Sequence, residues 1–126
     1  RSAMLRLPQS RFATENRAAD MCMNPYLGLG MMLAASVDGI VNKIEPGPSL
    51  DEDLYVMDDT EKAKRAITPL PRNLLEANEM LSQSELAKQV LGPVLLNSYL
   101  QYKVDEWERY HQTVTDWEVQ EYLRLY

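Results

Sequence analysis

The spacing of apolar residues changes its rhythm several times along the chain, and each rhythm predicts a different element. Residues 2 to 8, SAMLRLP, hold a short apolar run closed by Pro8, which predicts a brief strand. Residues 11 to 17 predict a second. In an extended segment alternate side chains share a face, so Arg11, Ala13, Glu15 and Arg17 would lie on one side. Arg1 and Arg6 differ in parity, so a regular strand would not aim both at one point.

The rhythm then turns helical. Asn24 followed by Pro25 predicts a helix start, because asparagine accepts from free backbone donors and proline at the first helical position loses no needed hydrogen bond. The helix should run to about Asn42. Leu27, Leu29, Met31, Met32, Leu33, Val37, Ile40 and Val41 make it apolar nearly all round, and Gly28, Gly30, Ala34 and Ala35 would let neighbours approach closely. It reads as a buried, central helix.

Residues 43 to 68 form a connection rich in proline, glycine and acids, with at most a short helical turn. A connection of that length reads as a surface excursion over a larger body. Three or four helices follow. Leu74, Leu75, Asn78 and Leu81 fall at helical spacing, Ser84 and Gly92 bracket a capped helix, and residues 94 to 112 carry Leu95, Leu96, Tyr99, Leu100, Tyr102, Trp107 and Tyr110. Thr115 and Glu118 have capping-box spacing at the start of a last helix expected to end on Tyr126.

Composition adds limits. With 126 residues, 45% hydrophobic and 25% charged, the chain has the make-up of one globular domain. It begins at Arg1 without an initiator methionine, and the expectation is a fragment of a longer polypeptide. The net charge of -6 argues against a general nucleic-acid binder, which needs a basic face. The apolar run from Tyr26 to Val37 falls short of the ~20 residues that span a bilayer, so no membrane association is expected. No secretory signal is visible in this stretch. The single cysteine, Cys22, cannot close an internal disulfide, and no paired Cys and His ligands suggest structural zinc; a reducing, cytoplasmic location is expected.

Charge is unevenly distributed, and that changes the picture. Arg1, Arg6, Arg11 and Arg17 are half of the chain's arginines, and Glu15 is the single acid among the first nineteen residues. Guanidinium forks suit phosphate oxygens, being planar, permanently charged and bidentate. Carboxylates suit a hard divalent cation such as Mg or Mn. Spacing alone is a weak signal, and by itself it reads these groups as surface ion pairs worth little each. His111, alone among Trp and Tyr residues, reads as structural. The aromatic set from Tyr99 to Tyr126 reads as core or subunit contact rather than a base-stacking platform, and Asp51, Glu52, Asp53, Asp58, Asp59 and Glu61 lack calcium-loop spacing and read as a solvated loop.

The segments RSAMLRLP, ENRAAD, MNPYLGLGMMLAASVDGIVNKIEPG and DEDLY, in that order over residues 1 to 55, resemble the C-terminal part of the catalytic domain of the glutamine synthetase family. LPRNLLEA continues the likeness. The ending VTDWEVQEYL is more similar to the branch containing γ-glutamylamide ligases than to the best-known bacterial glutamine synthetases. The resemblance implies an α+β, mainly helical C-terminal portion of such a domain, with one or two strands at its start, filling residues 1–126. It further implies ATP-dependent ligation of L-glutamate to ammonia or another amine through a γ-glutamyl phosphate.

Matched by motif, Arg1 and Arg6 would contact phosphates during transfer, Glu15 would ligate Mg or Mn, and Arg17 would face the reacting carboxylate and the transferred phosphoryl group. The family pattern Arg-x-Glu-x-Arg departs here, with Ala13 in its first place. Either two residues are inserted and Arg11 keeps the nucleotide contact, or that contact is lost; insertion is the favoured reading. The family's other metal glutamates and its metal histidine lie upstream of Arg1, and His111 does not match that histidine. The isolated segment should therefore be inactive. A homo-oligomeric ring is implied, and the rival reading is a non-catalytic assembly or interaction protein built on the same body.

Overall fold

The computed structural model describes residues 2–125. Its mainly helical α+β character agrees with expectation: a two-stranded antiparallel sheet, β1 (Leu5–Arg6) and β2 (Glu15–Asn16), is followed by α1 (Pro25–Val41), α2 (Asp59–Lys64), α3 (Leu74–Gln83), α4 (Glu85–His111) and α5 (Asp116–Tyr122). The chain divides into a first unit ending at Leu70 and a second beginning at Pro71. No helix among the described residues is long and apolar enough to cross a membrane.

In the first unit both strands are shorter than the apolar runs that predicted them. Leu5 pairs with Asn16 and Arg6 with Glu15, and the Arg17 amide donates to the Met4 carbonyl at 2.9 Å, one step beyond the ladder. Residues 11 and 12 form a bend, so the alternation expected from Arg11 to Arg17 does not extend back to Arg11. Helix α1 begins where Asn24 and Pro25 place it: the Asn24 Oδ1 accepts from the amides of Tyr26 and Leu27 at 3.0 and 3.3 Å. It stops through a Schellman turn, with Lys43 at φ 51° and the Ile44 amide donating to the Gly39 carbonyl at 2.9 Å.

The expectation of a buried α1 is corrected. Leu29, Leu33, Val37 and Ile40 are all at least half exposed, because no other element among the described residues packs on that face. An apolar helix excludes water only where a second apolar surface meets it. The long connection holds a helix of six residues, α2, started by the Asp58 carboxylate accepting from the Glu61 amide at 2.7 Å. Arg65 then clamps the loop, donating to Glu61 at 2.7 Å and Glu52 at 2.9 Å.

The second unit is an α3–α4 pair followed by α5. Asn78 of α3 donates from Nδ2 to the Leu100 carbonyl of α4 at 3.1 Å. Leu96, Leu100, Lys103 and Trp107 recur at helical spacing, so that bond turns their shared face toward α3. Ala87 and Leu96 are the buried residues of the described core. Among the aromatic residues, Tyr102, Tyr110, Trp117 and Tyr122 are exposed, while Tyr99 and Trp107 are half-buried. His111 stacks on Trp107 with ring centroids 3.8 Å apart, and its Nδ1–H donates to the Trp107 carbonyl at 3.1 Å.

Helix α4 is broken where Gly92 predicted a boundary. Gly92 has φ 69° and ψ 166°, a backbone region that is nearly glycine-only, and Pro93 follows without an N–H to lose. A Cβ at Gly92 would meet no other atom within 4 Å, so the constraint is the backbone itself. Gly92→Ala is expected to destabilise the protein by about 1–3 kcal/mol, read as a lowered chemical-denaturation midpoint with an unchanged m-value. An unchanged midpoint would show that the break tolerates a side chain. Helix α5 opens with the expected capping box: the Thr115 Oγ1 accepts from the Glu118 amide at 3.2 Å, and the Glu118 carboxylate accepts from the Thr115 amide at 2.7 Å. It ends at Tyr122, four residues short of the expected end.

Candidate functional site

Chemistry-bearing side chains converge on the β1–β2 hairpin. Cross-strand pairing sets Arg6 directly opposite Glu15, and the two-residue step places Arg17 on the same face as Glu15. The Glu15 carboxylate is shared: Oε2 accepts from Arg6 Nη1 at 3.1 Å, and Oε1 accepts from Arg17 Nε at 2.8 Å. The side chain of Arg6 is 54% exposed, that of Glu15 33% and that of Arg17 25%. Two guanidiniums against one carboxylate leave a net charge of +1 in the triad. Arg17 spends only Nε on Glu15, and among the described residues its Nη groups make no hydrogen bond. Those groups can take a phosphate or carboxylate in a bidentate manner.

The hydrogen bond from Arg17, and after it that from Arg6, holds the Glu15 carboxyl below the usual glutamate range. A depressed folded-state pKa means that the triad's contribution is present above the ordinary glutamate pKa. It fades as pH falls through the lowered value. At neutral pH the carboxylate is ionised and both pairs are intact.

The candidate residues do not all meet. Arg6, Glu15 and Arg17 come together. Arg11 lies exposed in the bend between the strands and, among the described residues, makes no ion pair; Ala13 is exposed two residues before Glu15. Arg1 lies outside the described residues. Spacing could not show that Arg6 meets Glu15, because nine residues separate them and the hairpin register decides which pair faces. Two further residues organise the surroundings without having been singled out. The Ser2 Oγ accepts from the Leu54 amide at 2.9 Å, joining the start of the chain to the acidic loop, and Arg65 bridges two carboxylates, Glu52 and Glu61. The Ser2–Leu54 and Arg65–Glu52 contacts have no local spacing signal, whereas Arg65 and Glu61 are at i,i+4 spacing.

Glu15 fits Mg or Mn by donor chemistry, since a carboxylate oxygen is the hard ligand these cations take. Among the described residues no group of three carboxylates, histidines or cysteines could hold a metal ion, so Glu15 would be one ligand of a set. Elsewhere, a hollow on α5 is lined by Val114, Glu118, Val119, Tyr122 and Leu123. Its one carboxylate is already used in capping Thr115, which holds Glu118 below the ordinary glutamate range. The hairpin is the candidate site among the described residues.

A family model for the catalytic domain of glutamine synthetase matches residues 1–122. A glutamine synthetase from Clostridium saccharobutylicum is 37% identical over 129 residues, covering 100% of this chain and 29% of that protein. A glutamate–methylamine ligase from Methyloversatilis universalis is 36% identical over 126 residues, covering 100% of this chain and 28% of that protein. Among solved structures, the GmaS/ADP complex in conformation 1 superposes with a TM-score of 0.78 at 33% identity, over 98% of this chain and 27% of that one. The chain thus spans less than a third of the length of these relatives.

Proposed function

The chain belongs to the glutamine synthetase catalytic-domain family, its relatives being glutamate ligases, and from that membership we propose that the full-length protein joins L-glutamate to ammonia or another amine at the expense of ATP. In this reading the glutamate side chain is activated as γ-glutamyl phosphate and the amine displaces phosphate. The Arg6–Glu15–Arg17 triad carries the proposal, because it sets two guanidiniums and one hard oxygen ligand on one face of a hairpin. Phosphoryl transfer is mostly positioning and charge stabilisation, and this set supplies both.

The roles follow the motif correspondence, and the contacts of Glu15 with Arg6 and Arg17 support them. Arg17, whose Nη groups make no hydrogen bond among the described residues, orients the reacting carboxylate and the transferring phosphoryl group. Arg6 and Arg1 bind phosphate oxygens, and Arg11 is the candidate nucleotide contact. Glu15 would hold Mg or Mn together with ligands from the rest of the protein. Bound there, the cation would neutralise phosphate charge. The assembly proposed is a homo-oligomeric ring in the cytoplasm. The exposed apolar face of α1 is where the remainder of a family-length chain would pack.

Near-equal identity to a glutamine synthetase and to a glutamate–methylamine ligase leaves the amine to experiment. Phosphate release by the full-length protein, with ATP, Mg and L-glutamate against ammonia, methylamine and polyamines, should be high for one amine and low without glutamate. No glutamate-dependent release with any amine would favour the non-catalytic assembly protein. Arg17→Lys keeps the charge but loses the fork, and is expected to lower kcat by about 10- to 100-fold, following the loss expected when an orienting contact is removed. Steady-state kinetics with the preferred amine would check this, and wild-type kcat in the variant would remove Arg17 from the reacting centre.

A further inference from the structure

We infer that Arg6 and Arg17 are resident counter-ions of Glu15 that compete with a divalent cation for its carboxylate, so that cation binding frees both arginines for a phosphoryl group. The inference rests on the reading of Glu15 as a metal ligand given above and adds an order of events to it. Its physical basis is that both oxygens are already in use: Oε2 faces Arg6 at 3.1 Å and Oε1 faces Arg17 at 2.8 Å. A cation bound to a carboxylate sits at ~2.0–2.2 Å from the oxygen. Two positive charges would then stand within a few ångströms of it, in a triad that is already net positive, and like charges at that range repel.

The two arginines are not equally free to leave. Arg6 makes the longer bond and its side chain is 54% exposed, whereas Arg17 makes the shorter bond and is 25% exposed. The Arg17 backbone is also tied to Met4 through its amide. Arg6 is therefore the first to swing out, with Arg17 re-aiming about a fixed backbone. Released guanidiniums need new anionic partners, and phosphate oxygens are their best geometric match. Without a cation, Glu15 keeps the arginines folded against the hairpin. With one, they become available where phosphate charge develops.

Competition predicts an effect in an unusual direction: deleting a positive side chain tightens cation binding. Mn2+ alone would be titrated into the full-length protein, without nucleotide or glutamate, and free Mn2+ followed by electron paramagnetic resonance. Arg6→Gln is expected to bind Mn2+ about three- to tenfold more tightly than wild type, the scale of releasing one exposed ion pair and its repulsion. The gain should shrink as salt rises. Arg17→Gln gives a second reading in the same direction should one variant fold poorly. Glu15→Gln should abolish the site in question. If both arginine variants bind Mn2+ equally or more weakly while Glu15→Gln loses the site, the competition is refuted and Glu15 remains a metal ligand. If Glu15→Gln binds Mn2+ like wild type, the metal-ligand reading falls and takes this inference with it.

Discussion

Glu15→Ala in the full-length protein is expected to lower glutamate- and amine-dependent phosphate release by about 10²–10³-fold, the usual consequence of removing one element of a preorganised electrostatic site. Two losses coincide in that variant. The proposed cation loses a hard oxygen ligand, and the cation-free hairpin loses the anion that Arg6 and Arg17 share. The loss should fall mainly on kcat, because both contributions act on charge that develops during transfer. Glutamate-dependent phosphate release at saturating substrates measures it, with thermal denaturation alongside to establish that the variant folds. Glu15→Asp keeps the charge but shortens the reach to both arginines, and should fall between wild type and Glu15→Ala. Turnover unchanged in Glu15→Ala would refute the role of Glu15.

Leu96→Ala carries the largest expected effect on stability, a loss of about 2–3 kcal/mol. Leu96 is 4% exposed, on the α4 face that Asn78 ties to α3, and with Ala87 it makes up the described buried core. Removing its branched end leaves a space that few neighbouring side chains can fill. Leu95, the adjacent residue, is 44% exposed on another face of the helix, and Leu95→Ala should cost well under half as much. Urea denaturation of the two variants against wild type separates the cases. Equal losses would mean that α3 does not pack where the Asn78 bond indicates.

Much of the fold was legible because its determinants are local. Asn24–Pro25, Ser84 and Thr115 with Glu118 all cap helices through bonds spanning two or three residues, and Gly92–Pro93 breaks α4 through its own backbone angles. The strand lengths were less legible. Apolar runs suggested two strands of about seven residues, whereas the structure pairs two residues in each. Pairing needs a partner in register, and the bend at residues 11 and 12 withdraws the backbone on one side. The exposure of α1 was not legible for a related reason. Periodicity reports which faces are apolar, and exposure depends on what lies against them.

The candidate site divides in the same way. Glu15 and Arg17 share a face by strand alternation, and the motif likeness over residues 1 to 55 supplied their expected roles; both could be read along the chain. That Arg6 shares the Glu15 carboxylate, that Ser2 is joined to Leu54, and that Arg65 clamps Glu52 to Glu61 depended on the folded chain. The sequence by itself determined the starts of α1, α4 and α5, the break at Gly92 and the family to which the chain belongs, because caps, backbone angles and motifs act over a few consecutive residues. Only the tertiary structure decided which charges distant in sequence meet, because register and loop closure bring together residues whose separation along the chain carries no record of the contact.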